Sequence, residues 1–213
     1  MKTIQELLLS NKGWAREMRE RKDNFFSDQT SGQNPEILWI GCSDSRVSPD
    51  QITQTLPGEL FIHRNIANIV HTEDENLGSV VQFALEVLKV RHVVICGHYG
   101  CGGIEAALDN NTSGPIDRWL SSARQVEKDH SQELENLQDR EQRINRLVEL
   151  NVRDQLIRLG QSKLVQEAFA RDDELTLHGL VYDLRDGLIS QILTIDGAAG
   201  LEETAVPETV LTA

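Results

Sequence analysis

Apolar and polar positions alternate with two different periods along this chain. Near the start, Ile4, Leu7, Leu8, Trp14 and Met18 recur at helical spacing, predicting a helical arm over residues 1–30. Asn34 and Pro35 break that pattern. Three short continuous apolar runs follow, Glu36 to Ile40, Glu59 to His63 and His92 to Cys96, each the length of a buried strand. Between the second and third, Leu77, Val80, Val81, Ala84, Leu85 and Leu88 mark a helix, which makes a β-α-β unit with a parallel sheet and right-handed crossovers. Gly102 and Gly103 open a short helix through Leu108, and Asn110 to Pro115 is a turn cluster. From Ile116 to about Gly160 the chain reads as helical, with a stripe at Ile144, Leu147, Val148, Val152, Leu156 and Leu159, and its many charges read as a solvated face. A helix near Lys163 to Arg171 leads to an alternating strand, Leu175 to Leu184. Asp186-Gly187 is a hairpin signal before a last strand, Leu188 to Ile195, expected at an antiparallel edge. The segment from Gly197 has little pattern and reads as disordered or partner-bound. The fold class is thus α/β: three-layer α-β-α with a mainly parallel central sheet, an antiparallel edge strand and a helical N-terminal arm. It forms a single domain, 1–213, with 197–213 as its tail.

Chemistry enters where two of these apolar runs end. Ile37 to Ile40 stops at Gly41 and is followed by Cys42, Ser43, Asp44, Ser45 and Arg46; Val93 to Cys96 stops at Gly97 and is followed by His98 and Cys101. Two parallel strands ending in metal-ligand residues would gather Cys42, Asp44, His98 and Cys101 at one sheet edge, where open α/β folds keep their sites. Zinc accepts thiolate, imidazole and carboxylate, so two versions stand: Cys42, His98 and Cys101 with a water fourth, or the same three closed by Asp44. Asp44 and Arg46 lie two apart and can pair, which would keep the carboxylate ionised and oriented. Cys96 lies inside its apolar run and belongs to the core. Trp39, Arg64 and Tyr182 each sit in or just after a strand and each offers a donor to a small oxyanion.

Composition narrows the classes. A formal net charge of -13 excludes a nucleic-acid binder, since no basic cluster exists to meet phosphate, although a local Arg can still hold a small anion. No apolar run approaches the ~20 residues of a membrane span, so no membrane partner is expected. Glu6 interrupts the N-terminal apolar patch and no cleavage site follows, so it reads as an amphipathic helix, not a signal peptide. Three cysteines, two of them in ligand-like settings, point to a reducing compartment and a cytoplasmic location.

The motifs CSDSR, ELFIHRNIAN and GHYGCGG, together with their surroundings from about Asn34 to the hairpin near Gly187, resemble the β-class carbonic anhydrases of the bacterial branch. The resemblance implies one zinc per subunit held by Cys42, His98 and Cys101, with Asp44 and Arg46 as the catalytic dyad. It implies reversible hydration of carbon dioxide to bicarbonate and a proton, the metal lowering the pKa of its water from about 15.7 towards ~7. It also implies substrate contacts from the Gln33 side-chain amide, contributed by a neighbouring subunit, and from the Gly102 backbone N–H. His63, His71 and Tyr99 are candidates to assist proton release. In the family's regulated subgroup, LWIGC, HRN and HGxxY carry a non-catalytic bicarbonate site; here Trp39, Arg64 and Tyr182 occupy those contexts. Bicarbonate there would favour a closed state in which the Asp44 to Ser48 loop shifts and Asp44 leaves Arg46 to become the fourth zinc ligand, at lower pH. Ser48-Pro49 departs from the pattern of close relatives and bears on that loop's mobility. A homodimer, paired into a homotetramer, is the implied assembly. A carbon disulfide hydrolase of the same fold and a closed structural or redox-sensing zinc protein are the rival readings; the Asp44-Arg46 pair argues against the latter, as does the lack of a CxxC pair.

Overall fold

The computed structural model describes residues 3–171 and 174–204. The chain divides at Asn34 into an N-terminal unit, 1–34, and a body, 35–213. The N-terminal unit is two helices, α1 (Ile4–Arg21) and α2 (Phe25–Gln29). A capping box starts α1: Glu6 N–H donates to Thr3 Oγ1 at 3.2 Å and Thr3 N–H donates to Glu6 Oε2 at 2.6 Å. Trp14, Phe25 and Phe26 pack edge to face, closing the two helices on each other. Within this unit Ile4, Leu7, Leu8 and Leu9 of α1 are exposed.

Among the described residues the body holds one five-stranded sheet: β1 (Ile37–Cys42), β2 (Leu60–Asn65), β3 (His92–His98), β4 (Thr176–Tyr182) and β5 (Ile189–Asp196). Its order is β2-β1-β3-β4-β5; the first four strands are parallel and β5 pairs antiparallel with β4 at the edge. Between them run α3 (Pro49–Thr53), α4 (Glu75–Gln82, continued by a π-helical turn, Phe83–Leu88) and α5 (Gly102–Asp109). Then come α6 (Gly114–Trp119), α7 (Ser121–Asp129), α8 (Ser131–Asn136), α9 (Arg140–Gly160), α10 (Lys163–Ala170) and α11 (Gly197–Thr204). The result is a three-layer α/β body. The main core lies between the sheet and α9, whose Leu147, Val148, Val152, Leu156 and Leu159 are buried. Val152 reaches so close to β3 that a Cβ on Gly97 would stand 2.7 Å from it, so the glycine is what lets helix and strand meet. The opposite face carries a smaller cluster of Trp39, Val94 and Cys96, with Ile52 of α3 packed against it.

Several boundaries differ from the sequence reading, each for a physical reason. β1, β2 and β3 run two residues further than their apolar runs, because parallel pairing continues from Gly41 to Cys42 opposite Arg64 and Asn65, and from Gly97 to His98 opposite Val181 and Tyr182. Cys42 and His98 are therefore strand residues, not loop residues. The single helical stretch from Ile116 to Gly160 is four helices, α6 to α9. Its last part is not a solvated face: Glu149, Asn151, Arg153 and Gln155 are buried on α9, because neighbouring segments cover its flanks as well as its apolar stripe. From Gly197 the chain forms α11, where Leu201 is buried against Gly160; residues 205–213, the rest of the expected tail, lie outside the described residues.

Candidate metal centre

After β1 the chain goes to β2 on one side and then crosses back to β3 on the other, so β1 and β3 border the point where strand order reverses. At such a switch point the connections diverge and leave a crevice beyond the strand ends. Cys42 is the last residue of β1, His98 the last of β3, and Cys101 the N-cap residue of α5. Gly100, at φ +66°, takes the left-handed conformation that turns the chain from β3 to α5 and brings Cys101 back beside His98.

The ligand atoms of Cys42, His98 and Cys101, all buried, lie within 4.8 Å of one another. Cys42 Sγ and Cys101 Sγ are 3.9 Å apart. That is far beyond a disulfide bond of ~2.05 Å and close to the edge of about 3.8 Å of a tetrahedron built on Zn–S bonds of ~2.3 Å. His98 Nδ1 is 3.0 Å from the Tyr99 carbonyl oxygen, to which it donates, and this turns Nε2 into the cluster. Nε2 is buried with no hydrogen-bond partner among the described residues, the state expected of a nitrogen shaped for a cation. The donor set fits zinc.

Electrostatics prepare the same centre. The hydrogen bond from Cys101, with His98 and the backbone N–H groups of Asp44 and Ala67 behind it, holds the Cys42 thiol far below its usual range. The Cys101 thiol is pushed up by that same hydrogen bond and by burial, because the two sulfurs share one proton. Backbone N–H groups of Gly103 and Ile104 point at Cys101 and favour its thiolate.

Asp44 stands at the rim. Its Oδ1 accepts from the backbone N–H and Nε of Arg46, both at 2.9 Å, and its Oδ2 accepts from Arg46 Nη2 at 2.7 Å. Arg46 thereby holds the carboxyl well below the carboxylate range. Asp44 Oδ2 also lies 3.8 Å from His98 Nε2, so the dyad borders the ligand cluster. Arg46 Nη2 further donates to the Gly100 carbonyl, and a cavity of about 490 Å³, walled partly by Tyr99 and Leu184, opens beside this pair.

The other candidates fall on different ground. Trp39, Arg64 and Tyr182 lie on the face of the sheet opposite Cys42. Trp39 is buried and Tyr182 packs on the same cluster; neither the indole N–H nor the phenol hydroxyl has a hydrogen-bond partner among the described residues. Arg64 already donates to the Cys42 carbonyl through Nε, at 2.8 Å, and to the Asp44 carbonyl through Nη2. That stapling of the Cys42–Asp44 segment is a role the sequence reading did not assign, and the position of Arg64 one strand over was its only signal. Gly102 opens α5, with free space where a Cβ would stand, and Gln33 is an exposed residue of the N-terminal unit. Tyr99 donates its hydroxyl to Glu149, and burial with that carboxylate pushes its pKa up. His63 is buried beside Asn65, and burial lowers its pKa; the His71 ring is tied to the Trp119 carbonyl.

An α/β body with a two-thiolate, one-imidazole cluster at its switch point and a carboxylate-guanidinium pair at the rim defines a metalloenzyme class of small-molecule chemistry. Comparison with known proteins identifies which. The carbonic anhydrase family model matches residues 37–189. A carbonic anhydrase of Emericella nidulans is 40% identical over 190 residues, covering 89% of this chain and 83% of the relative. The Coccomyxa β-carbonic anhydrase, solved in complex with acetazolamide, superposes with a TM-score of 0.91 at 35% identity, over 100% of this chain and 94% of that one. A tetrameric β-carbonic anhydrase of Sordaria macrospora gives 0.85 at 40% identity, over 88% and 95%. This chain belongs to the β-class carbonic anhydrases, a family of zinc lyases. Among its described residues no helix is long and apolar enough to cross a membrane.

Proposed function

We propose that this chain catalyses the reversible hydration of carbon dioxide to bicarbonate and a proton, with one zinc per subunit held by Cys42, His98 and Cys101. The observation that carries the reading is the buried His98 Nε2, without a hydrogen-bond partner among the described residues, inside a cluster whose two sulfurs are 3.9 Å apart, with Asp44 paired to Arg46 at its edge. Zinc bound there supplies a Lewis acid that lowers the pKa of its water into the neutral range. The remaining work belongs to the chain. Asp44, kept ionised by Arg46, accepts a hydrogen bond from the attacking water and aims its lone pair at carbon. The Gly102 N–H and the Gln33 amide of a neighbouring subunit donate to the substrate oxygen as charge develops on it.

We further assign the chain to the bacterial, bicarbonate-regulated subgroup, with bicarbonate held by Trp39, Arg64 and Tyr182. The free indole and phenol donors on one face support this, as does the bond from Arg64 to the Asp44 carbonyl. An anion drawn to Arg64 competes with that carbonyl, releases the Asp44 to Ser48 loop, and lets Asp44 exchange Arg46 for the metal. On this reading, Asp44 paired with Arg46 corresponds to the open state. A homodimer, paired into a homotetramer, is the assembly we assign, the exposed Ile4, Leu7 and Leu8 face being suited to a second copy. The cytoplasm is the compartment, because Cys42 and Cys101 work only as reduced thiolates.

Stopped-flow carbon dioxide hydration from mildly acidic to alkaline pH, with metal analysis of the same sample, tests both parts. Fast turnover that rises with pH on about one zinc per chain is expected from such a site. Full zinc occupancy without hydration at alkaline pH would overturn the activity, and turnover insensitive to bicarbonate at low pH would overturn the regulation.

A further inference from the structure

Beyond β2 the chain makes a turn, Ile66–Asn68, in which Ala67 (φ +61°) and Asn68 (φ +47°) both occupy the left-handed region. Two consecutive non-glycine residues there are strained, and such strain persists only where the surroundings over-determine it. Here they do. Asn65 brackets the turn, accepting from Ile69 N–H at 2.8 Å and donating to the Ile69 carbonyl at 2.9 Å. Trp119 Nε1 donates to the Ile66 carbonyl at 2.8 Å. From α9, Asn151 Nδ2 donates to the Ala67 carbonyl at 3.1 Å. One helical turn further on, Gln155 donates to Asn151 Oδ1 at 3.0 Å and accepts from Val70 N–H at 2.9 Å. Asn151 and Gln155 are almost fully buried, so these donors and acceptors have no water to turn to.

The clamped turn touches all three ligand segments. Asn65 is the register partner of Cys42, and its carbonyl accepts from Ser43 N–H at 2.9 Å. Asn68 Oδ1 lies 3.6 Å from where a Cβ on Gly97, the neighbour of His98, would stand. Ile66 and Ala67 lie 2.9 Å and 3.1 Å from the corresponding point on Gly103, two residues past Cys101. A shift of this turn therefore moves every wall of the ligand cluster at once.

We propose that Asn151, braced by Gln155, is a positioning residue for the metal centre, holding Ala67 in its strained conformation and through it the spacing of Cys42, His98 and Cys101. The proposal rests on the zinc reading of that cluster and extends it to a helix that supplies no ligand. Outer partners of metal ligands commonly govern affinity by about 10–100-fold.

The test uses the full chain as Asn151→Leu, Ala67→Gly, the double variant and Trp119→Phe, each loaded with zinc for release into excess chelator or with cobalt(II) for its thiolate-to-metal absorption. Asn151→Leu is expected to release zinc at least tenfold faster and to shift the cobalt band. Ala67→Gly alone keeps both signals. In the double variant it restores most of the loss, because glycine holds a positive φ without a clamp. Trp119→Phe removes a single clamp nearer the surface and gives a smaller acceleration in the same direction, and it carries the test should Asn151→Leu not fold. Wild-type release and absorption in Asn151→Leu, or in Trp119→Phe if only that folds, would overturn the proposal. So would a loss that Ala67→Gly fails to repair, which would mark a purely structural contact. Absence of a thiolate-to-cobalt band in the wild-type protein would instead remove the metal reading, and the proposal with it.

Discussion

The two faces of the sheet at the ends of β1 and β3 are built in opposite ways. On the α9 side, Cys42 sits behind a fully packed core, its neighbours fixed by a bracketed turn, and its sulfur is answered by Cys101, His98 and backbone N–H groups. On the other side, Trp39 and Tyr182 share a small cluster, their indole N–H and phenol hydroxyl make no hydrogen bond among the described residues, and Arg64 is committed to two backbone carbonyls. The first arrangement is over-determined and tolerates one geometry. The second has donors to spare and can be re-partnered. A catalytic centre needs the former, whereas a switch needs a second state within reach.

The sharpest way to break this contrast is to remove a ligand. Cys42→Ala and His98→Ala are each expected to bring zinc content near zero and hydration to background, a loss of at least about 10⁴-fold, since the metal is the source of the neutral-pH nucleophile. Trp39→Ala, on the thinner face, is expected to leave zinc content unchanged. Metal analysis of the three purified variants checks this, and zinc loss in Trp39→Ala would show that the two faces are not separable.

Next in size is the rim. Arg46→Ala frees Asp44 and is expected to lower turnover by about 10²-fold, in the range for a misplaced proton acceptor, with zinc retained. Arg46→Lys recovers little, because an ammonium cannot reproduce the fork that holds both carboxylate oxygens. The pair also leaves a signature in stability. Its folded carboxyl pKa lies below the unfolded value of about 3.9, so its contribution is complete above that value and fades as pH falls from there towards the folded one. Thermal unfolding of metal-free wild type and Arg46→Ala should differ most above about pH 5, and the difference should shrink steadily as pH falls below about 4. A gap that widens in acid would contradict this assignment of the charge pair.

What could be read from sequence follows the same division. Cys42, His98 and Cys101 were legible because each follows an apolar run ended by glycine, a local signal, and parallel pairing then puts the two runs side by side. β5 follows β4 through a short hairpin, whereas β3 and β4 are joined by a long helical connection, from Gly102 to Ala170, whose ends no local signal pairs. Asn151 and Gln155 were not legible. A buried amide and a solvated one look alike in a charged helix, and what separates them is the carbonyl and N–H groups of a turn more than eighty residues earlier. α11 escaped for a related reason: Gly197, Ala198, Ala199 and Gly200 carry no apolar stripe, and the helix is anchored by the seating of Leu201 on Gly160. Arg64 was singled out for its charge, yet its visible bonds go to two carbonyls, a destination no spacing rule encodes.

The smallest expected effect separates packing from binding on the thinner face. Trp39→Phe keeps an aromatic ring against Val94 and Cys96 while removing the indole N–H, so it subtracts a donor with little change in burial. If Trp39 only packs, hydration and its response to bicarbonate stay as in wild type. If it helps hold the anion, inhibition by bicarbonate at low pH weakens severalfold, the scale of one hydrogen bond of about 1 kcal/mol, with zinc content and alkaline turnover unchanged. Gly41 gives an independent handle, because a Cβ there would stand 2.8 Å from Trp39 Nε1. Gly41→Ala must push the indole aside, and it should weaken bicarbonate inhibition at least as much as Trp39→Phe. Its position next to Cys42 makes parallel zinc analysis the control, since metal loss would place its effect on the catalytic face instead.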